Sequence, residues 1–493
     1  MATSNGTANG TPGDALPIWI NGKEHTTSTT FPVNSPSTSQ IIYHSSSASL
    51  KDALSAVDAA EAAFPAWSKT KPIFRRNILL RAADLLEQRL EEAARAQIEE
   101  TGIPAGVSKG FMVPTAVEGL RDTAGRIAAI MGAIPTAQAD GTGAVVWKEP
   151  LGVNFGLAPW NAPFILGIRA CMYAIAAGNT CVLKGSELSP KCFWIIGDVF
   201  HKAGLPAGVL NVIVHRPEDA AEITSAIINH KAVKKINFTG STAIGRIISE
   251  QAGKALKPVL MELGGKASAI VLDDADIELA ANECAAGAYL HAGQICMSTE
   301  RILVHQSILQ PFTSALQSAL AKFYPASSTA PTLVSSVGKK KNASLLEDAK
   351  SHGAQFLYPS DTSEHIDETS AYRMRPIIIS GVTKEMQIYH TESFGPSVSL
   401  FPIASAAEGI KIANDTQYGL SASVFSKDLA RAMAVAKEVE SGAVHINGMS
   451  VHDEPGLPHG GVKESGWGRF NAEWGLEEFV RTKTVTYKEG KVD

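Results

Sequence analysis

The sequence predicts an α/β protein with at least two domains. Short apolar runs of strand type alternate with helical stretches from Gly152 onward, and a second alternating series begins near Glu262. Such alternation is typical of β-α-β units and a mostly parallel sheet. The chain has 493 residues, more than one hydrophobic core usually supports, and its apolar content of 45% is enough for two or three cores.

The elements of the fold follow in order along the chain. Two stretches rich in Ala, Leu, Glu and Arg, residues 50–67 and 75–100, carry apolar residues at helical spacing and predict two opening helices. The first strand series is expected at residues 153–157, 180–183, 210–214 and 235–239. The second is expected at residues 268–272, 301–305 and 443–447, separated by helical patterns such as 429–439.

Two segments, residues 133–147 and 482–487, fit neither series. The second is rich in β-branched residues, which suit an edge strand or a protruding arm. Arms of this kind often pair across subunits, and a loose surface hairpin is an equal alternative. The charge run 339–341, three lysines, is expected to form a solvated face in a turn.

Composition and charge exclude several classes of protein. The 44 Lys and Arg against 49 Asp and Glu give a net charge of -5, so nothing favours binding to nucleic acid or an anionic membrane. The five cysteines form no CxxC pair, which favours free thiols in a reducing, cytoplasmic compartment. Residues 1–16 lack the features of a targeting segment and predict a disordered tail. The apolar runs are too short to span a membrane, so we expect a soluble protein that binds small molecules.

Two residues suggest covalent chemistry. Cys296 ends the run Gly-Gln-Ile-Cys, and Glu262 lies 34 positions upstream. A thiol can attack a carbonyl group and a carboxylate can activate water, so the pair could support a two-step reaction. Taken singly, Cys296 could equally be an inert buried cysteine and Glu262 a solvated surface carboxylate.

Three runs at strand ends are candidates for ligand binding. Gly240 and Ser241 lie where a predicted strand enters a helix, a position that can bind phosphate or simply form a turn. Lys184 and Glu187 follow another strand, and they could contact a nucleotide or be exposed loop charges. Asn161 precedes a predicted helix, where it could donate to an oxyanion or cap the helix.

Together these runs resemble the aldehyde dehydrogenase superfamily, over nearly all of residues 17–493. The motifs that carry the resemblance are PWN at 159–161, KGSE at 184–187, GLPAGV at 204–209, FTGST at 238–242, ELGGK at 262–266, GQIC at 293–296, ESFGP at 392–396 and GGVKESG at 460–466. Each could arise by chance, but the ordered set could not easily do so. The segments 161–170 and 447–455 are similar to the branch that oxidises hydroxylated benzaldehydes, the salicylaldehyde and vanillin dehydrogenases.

The resemblance implies a mechanism and a domain plan. Cys296 would form a thiohemiacetal and then a thioester, Asn161 would stabilise the oxyanion, and Glu262 would activate the hydrolytic water. Residues 17–130 and 151–261 would form a Rossmann-like NAD-binding domain, and residues 262–465 a second, catalytic α/β domain. Residues 131–150 and 466–493 would form a β-arm for oligomerisation, giving a homodimer or homotetramer.

The resemblance also implies the cofactor and its contacts. NAD is expected, with NADP possible, because an ionised Glu187 near the 2′ position would repel an added phosphate. No metal is expected. The implied cofactor-binding residues are Pro159, Trp160, Lys184, Glu187, Gly240, Ser241, Ile244, Leu263, Glu392 and Phe394.

The substrate assignment depends on the branch. A hydroxylated aromatic aldehyde is expected, with an aliphatic aldehyde or semialdehyde, or a thiol hydrolase activity without cofactor, as alternatives. Arg169 could bind a phenol or stack on a ring, or it could form a structural ion pair. His459 replaces the usual Phe before the Gly-Gly pair. The implied substrate residues are Arg169, Tyr173, Leu290, Ile295 and His459.

Overall fold

The computed structural model of the protein describes residues 15–325, 327–359 and 370–488. The predicted disordered tail, residues 1–16, lies outside the described residues except for its last two. Ala15 is buried and Leu16 pairs with the backbone of strand 41–46. The ordered structure therefore includes the end of the predicted tail.

Strands β1 to β19 make up the sheets of the described chain. In chain order they are Ile18–Ile20, Lys23–His25, Thr30–Asn34, Ile41–Ser46, Thr142–Pro150, Val153–Leu157, Thr180–Lys184, Leu210–Ile213, Val233–Thr239, Val259–Glu262, Ala267–Val271, Thr299–His305, Gln355–Tyr358, Ile377–Ser380, Ser397–Ile403, Ser421–Phe425, Ala443–Ile446, Gly466–Trp467 and Val480–Lys488.

Helices α1 to α16 surround and connect the strands. In chain order they are Leu50–Trp67, Pro72–Gln88, Leu90–Thr101, Ala105–Val107, Val113–Arg126, Pro163–Ala176, Pro190–Lys202, Ala220–Asn229, Thr242–Lys254, Ile277–Tyr289, Leu309–Phe323, Ser336–Ser351, Gln387–His390, Ala406–Asn414, Leu429–Glu438 and Ala472–Glu477. Among the described residues, none of these helices combines the length and apolarity that crossing a membrane would require.

The first sheet has the order β18-β10-β9-β6-β7-β8-β1-β2, and its central strands are parallel. Their carboxyl ends are aligned, since Leu157 pairs with Lys184 and with Phe238, and Thr239 pairs with Glu262. Ligands of open α/β sheets bind beyond the carboxyl ends of the strands. The predicted ligand-binding runs after β6, β7 and β9 therefore meet at one edge.

The second sheet has the order β13-β14-β15-β12-β11-β16-β17, and it is parallel apart from the β13–β14 pair. The segments that enter β11, β12 and β15 contain Glu262–Lys266, Cys296 and Phe394 respectively. The amino edge of this sheet thus faces the carboxyl edge of the first. Both sheets are covered on two faces by apolar clusters.

The arm is an antiparallel pair, with β5 joined to β19 from Thr142–Lys488 to Pro150–Val480. The segments that the sequence left unassigned therefore pair with each other within the chain. Strand β18 belongs to the first sheet, where it covers the free edge of β10. The arm strand β19 thus begins at Val480, whereas the arm was predicted to begin at residue 466. Residues 489–493 of the predicted arm lie outside the described residues.

Two local predictions need correction. The stretch 75–100 forms two helices, because the chain turns at Arg89, whose side chain pairs with Glu92 and Asp198. The run 339–341 lies in α12 and not in a turn, since Ser335 caps that helix by accepting from Gly338 N. The first lysine of the run is buried and the other two are exposed.

Candidate active site

The three predicted catalytic side chains line one cavity of about 410 Å³. Cys296 follows the 3-10 turn Leu290–Gly293, Glu262 ends β10, and Asn161 stands just before α6. The Asn161 side-chain amide donates a hydrogen bond to the Gln294 carbonyl oxygen at 3.1 Å. Because a primary amide carries two N–H donors, this bond leaves one donor for a ligand in the cavity.

The turn before Cys296 holds a strained backbone. His291, Ala292 and Gly293 adopt φ values of 50°, 56° and 72°, three successive residues in the left-handed region. A Cβ atom at Gly293 would come within 2.2 Å of the Gly395 carbonyl oxygen, so only glycine fits there. Left-handed backbone costs about 1–2 kcal/mol for each non-glycine residue. The surrounding packing sustains that cost and holds the approach to Cys296 in one conformation.

The Cys296 thiol differs from the other cysteines in its access to a cavity. It is partly exposed, whereas Cys171, Cys181, Cys192 and Cys284 are buried. Burial, together with the nearby Glu262 carboxylate, raises the pKa of Cys296 well above its ordinary value. Both causes disfavour the thiolate, since burial removes solvation and the carboxylate repels a second negative charge. Both effects therefore favour the neutral thiol over the thiolate in this environment.

Glu392 and Phe394 lie on the wall of the same cavity. The Glu392 carboxylate accepts a hydrogen bond from Gly265 N at 2.8 Å. Burial and the charge of Glu300 raise the pKa of Glu392 to about 7. The Phe394 ring stands edge-on to Trp160 with centroids 5.9 Å apart. These contacts place a carboxylate and two aromatic rings beside the catalytic candidates.

A second cavity of about 430 Å³ adjoins the first, since Trp160 and Gly240 lie on the walls of both. Lys184 and Ile244 line it, as predicted for the cofactor. Lys184 Nζ lies 3.8 Å from a Glu187 carboxylate oxygen. Burial lowers the pKa of Lys184, although Glu187 opposes that shift. The two cavities form a continuous cleft along the facing edges of the sheets.

Three observations show that this cleft fits a dinucleotide. The ring nitrogen Nε2 of His215 is buried in the wall and has no hydrogen-bond partner among the described residues. Ser241 caps the amino end of α9, whose first N–H groups provide donors suited to phosphate. Ile244 and Ile247 are exposed large apolar residues on the wall, suited to a flat base.

Two predicted cofactor residues do not line these cavities. Leu263 is buried, and its side chain packs against the backbone of α9 at Gly245. Glu187 lines a neighbouring cavity together with Arg216. The other predicted cofactor residues lie on the walls of the continuous cleft, namely Pro159, Trp160, Lys184, Gly240, Ser241, Ile244, Glu392 and Phe394.

Arg169 is buried, does not line the catalytic cavity, and forms an ion pair with Asp453 through Nη2. Burial lowers its pKa, but the combined effect of Asp453, Tyr173 and Glu262 is larger, so the pKa of Arg169 is raised. The Nε and Nη1 atoms have no hydrogen-bond partner among the described residues. The guanidinium carbon also lies 5.7 Å from the Phe470 ring centroid. The structural ion pair, one of the roles that the sequence left open for Arg169, is therefore present. The Nε and Nη1 donors of the guanidinium stay without partners among the described residues.

The other predicted substrate residues lie around the core. Tyr173 is fully buried and stacks on Phe479, and its hydroxyl donates a hydrogen bond of 3.2 Å to Asn471 Oδ1. The structure thus places Tyr173 in the core and not on the cavity wall, because α6 is buried on every side. The remaining residues pack beside the cavity without lining it, namely Leu290, Ile295 and His459.

Several cavity residues were missed by sequence reasoning. Leu166, Val334 and Lys341 line the first cavity, and His215 lines the second. The amide oxygen of Gln294 accepts from Val334 N at 2.9 Å and so ties the two segments together. Leu166 lies in the first turn of α6, which begins two residues after Asn161, so its position in the sequence was a usable signal. The others are brought in by packing between distant segments.

A cavity that combines a partly exposed thiol, an amide donor and a buried carboxylate opens into a cleft that fits a dinucleotide. The fold and the cleft therefore define the class of the protein, an enzyme with a cysteine nucleophile and a dinucleotide cofactor. Comparisons with known proteins identify the family. The profile of the Aldehyde dehydrogenase family matches residues 19–485. The chain belongs to the aldehyde dehydrogenase family.

Three similar proteins support this assignment. A vanillin dehydrogenase from a Pseudomonas species is 42% identical over 482 residues, which cover 96% of this chain and 98% of the relative. A crystal structure of a salicylaldehyde dehydrogenase from Pseudomonas putida G7, complexed with salicylaldehyde, has a TM-score of 0.92 at 35% identity and covers 97% and 99% of the two chains. A betaine aldehyde dehydrogenase from Staphylococcus aureus in complex with NAD+ has a TM-score of 0.91 at 29% identity and covers 97% and 96%.

These comparisons confirm the expected α/β fold and the enzyme class. The protein is an NAD(P)-dependent aldehyde dehydrogenase family enzyme. Family relatives bind NAD+ or NADP.

Proposed function

We propose that the enzyme oxidises a hydroxylated aromatic aldehyde to the carboxylic acid with NAD. The observation that carries the catalytic part is the cavity shared by Cys296, Glu262 and Asn161, which opens into the dinucleotide cleft. The similarity to proteins named vanillin and salicylaldehyde dehydrogenases supports the aromatic substrate.

The first step is attack on the aldehyde by the Cys296 thiolate. A thiol of raised pKa must lose its proton before it attacks, and that proton can pass to solvent through the cavity to which Cys296 is partly exposed. The resulting thiohemiacetal oxyanion accepts hydrogen bonds from the free Asn161 N–H and from the backbone N–H of Cys296. A donor of this kind typically contributes about 100- to 1000-fold in rate.

The second step releases the acid. A nicotinamide cofactor held in the cleft would supply the hydride acceptor, and loss of hydride from the thiohemiacetal would leave the acyl group on Cys296 as a thioester. Glu262 then takes a proton from a water molecule, whose oxygen adds to the thioester carbonyl and displaces the thiolate. A positioned general base contributes about 100- to 10,000-fold. Glu262 is buried at the end of β10 and lines the same cavity as Cys296, which supports this role.

Arg169 supplies the recognition of a ring hydroxyl in this proposal. Its Nε and Nη1 groups are buried without partners, which is unfavourable unless a ligand accepts from them. A phenol oxygen meets that need, and a hydrogen bond to a charged donor is worth about 1.5–3 kcal/mol. The ion pair with Asp453 fixes the guanidinium while it makes this contact.

The test is a profile of kcat/KM over salicylaldehyde, vanillin, benzaldehyde and hexanal for the parent and Arg169→Lys. Lysine keeps the charge opposite Asp453 but removes the unused guanidinium donors. The ratio of salicylaldehyde to benzaldehyde is expected to fall by about tenfold or more, the scale of one charged hydrogen bond. An unchanged ratio would defeat the role of Arg169. A parent preference for hexanal would favour an aliphatic substrate, and turnover without NAD would favour a thiol hydrolase.

The proposed preference for NAD depends on the charge of Glu187. Its carboxylate lies 3.8 Å from Lys184 Nζ, and Lys184 lines the cleft, so a 2′-phosphate held near Lys184 would be repelled. In Glu187→Gln, kcat/KM with NADP is expected to rise by about tenfold relative to NAD, a coupling of about 1.4 kcal/mol. Steady-state kinetics with both cofactors measure this ratio. The Glu218→Gln variant, which removes an exposed carboxylate nearby, should leave it unchanged.

The arm provides a surface for the proposed homodimer or homotetramer. Trp147 and Tyr487 on the arm, with Met131 and Ile134 beside it, are exposed large apolar residues. Clustered exposed apolar side chains of this kind mark protein interfaces. Trp147→Glu is therefore expected to lower the molar mass in solution, measured by size-exclusion chromatography with light scattering. Phe323→Glu, at an exposed site on α11, should leave it unchanged.

A further inference from the structure

The buried carboxylate of Glu262 faces a histidine. Glu262 is 1% exposed, and neither of its carboxylate oxygens has a hydrogen-bond partner among the described residues. An unsolvated carboxylate without partners is unfavourable, so a positive or proton-donating neighbour matters there. His459 Nε2 lies 3.7 Å from Glu262 Oε1. This separation is just beyond hydrogen-bond length, and a small shift or one bridging water would close it.

The second ring nitrogen of His459 faces another carboxylate. His459 Nδ1 lies 3.9 Å from Asp453 Oδ1. Asp453 is held by its ion pair with Arg169 and by a hydrogen bond of 2.8 Å from Asn471 Nδ2. Burial opposes its ionisation, yet Arg169 and His459 hold the pKa of Asp453 well below its usual range. An ionised carboxylate opposite one nitrogen of an imidazole orients the ring and stabilises its protonated form.

The backbone fixes where the His459 ring stands. His459 and Phe470 exchange two backbone hydrogen bonds, of 3.0 and 2.8 Å, in an isolated antiparallel bridge. His459 is 8% exposed, compared with 1% for Glu262, so it is the member of the pair closer to solvent. The imidazole thus stands between the two carboxylates, with one ring nitrogen facing each.

We propose that His459, oriented by Asp453, positions the Glu262 carboxylate and receives the proton that Glu262 takes from the hydrolytic water. This inference rests on the proposed role of Glu262 in hydrolysing the thioester. As an O–H bond of water breaks, its proton moves to Glu262 and the hydroxide oxygen bonds to the acyl carbon. The proton then moves from Glu262 Oε1 to His459 Nε2, which restores the carboxylate and gives an imidazolium between two carboxylates. The imidazolium returns its proton to solvent before the next turnover.

The imidazole accepts the proton only when it is neutral, because a protonated ring has no free lone pair. The charged groups around the ring set the electrostatics of this transfer. The titratable groups that face His459 or its two partners come from β10, from the 451–459 loop, from α6, from β17 and from the loop before β12, namely Glu262, Asp453, Arg169, Tyr173, His445 and Cys296.

The experiment separates hydride transfer from hydrolysis in a single turnover. Rapid mixing follows NADH, and quenched samples from the same reaction follow the carboxylic acid. In the parent, the acid is expected to trail NADH by a short lag. In His459→Gln, NADH should form at the parental rate, while the lag lengthens by about 10- to 100-fold.

Two further variants sharpen the result. His459→Ala should show the same lag, and added imidazole should shorten it, since a free base can replace the missing ring. His452→Gln is the matched control, because this exposed histidine stacks on His445 and bonds to Glu454 without facing Glu262. Its lag should equal that of the parent. Rates expressed per mole of NADH formed in the first turnover count only folded active sites.

An unchanged lag in both His459 variants would overturn the inference, and so would slowing of NADH formation and acid release by equal factors. The second result would show that His459 supports the fold of the site and not the proton transfer. Absence of NADH formation by the parent would instead reject the proposed function itself. The two failures are therefore distinguishable in one data set.

Discussion

The Cys296→Ala variant is expected to lose NADH formation with every aldehyde, by at least about 10⁴-fold in kcat, as when the nucleophiles of other enzymes are removed. The methyl group of alanine cannot add to a carbonyl carbon, so neither the thiohemiacetal nor the thioester forms. The measurement is absorbance of NADH at saturating aldehyde and cofactor. Activity close to that of the parent would remove Cys296 from its proposed role.

A second cysteine provides the control for this result. Cys284→Ala removes a thiol that is buried in α10, where burial raises its pKa and keeps it unreactive. Deleting a small buried group costs about 1 kcal/mol of stability and should leave kcat near the parental value. Equal loss in both variants would indicate that unfolding, and not loss of the nucleophile, lowers the activity.

The Glu262→Gln variant is expected to release one equivalent of NADH in a burst and then to turn over about 100- to 10,000-fold more slowly. Glutamine has nearly the same shape but cannot take a proton from water, so the thioester accumulates. Intact-protein mass spectrometry during turnover should show the mass of one acyl group on the enzyme. Steady-state turnover equal to that of the parent would contradict the role of Glu262. Glu440→Gln, at the surface, is the matched control.

The same substitution should change the reactivity of the thiol. Glu262 raises the pKa of Cys296 because its negative charge disfavours a thiolate beside it. A neutral glutamine removes that repulsion, so the pKa of Cys296 is expected to fall and the thiolate fraction at a fixed pH to rise. The rate of alkylation by iodoacetamide between pH 7 and 9 measures this change. A slower reaction in the variant would contradict it.

Much of the fold could be predicted from the sequence because its central strands are continuous apolar runs. Strands β6, β7, β9, β11 and β12 fall where the predicted strands lie. The edge strands carry little local signal. Strand β18 has two residues, Gly466 and Trp467, and its pairing with β10 depends on a contact made across the chain. Sequence patterns report local preferences, whereas such edges form only through long-range packing.

The candidate site likewise contains residues that local sequence motifs predict and residues that only long-range packing brings in. Short motifs at the ends of strands placed Asn161, Lys184 and Gly240 correctly on the walls of the cleft, because parallel strands present their carboxyl ends together. Lys341 and His215 were not predicted as site residues, because only the packing of separate segments brings them to the walls of the cleft. For Arg169 the sequence left two roles open, and the buried geometry combines an ion pair with unused donors.

The strand β18 has a consequence for how the enzyme is made. Strand β10 carries Glu262 and remains an open edge until Gly466 and Trp467 pair with it, about 200 residues later in synthesis. At translation rates of about 5–20 residues per second, that edge is uncovered for about 10–40 s. Unpaired strand edges recruit other chains. During synthesis, the segment that carries the proposed base is thus open to pairing with other chains. Chaperone capacity would therefore influence the yield of active enzyme.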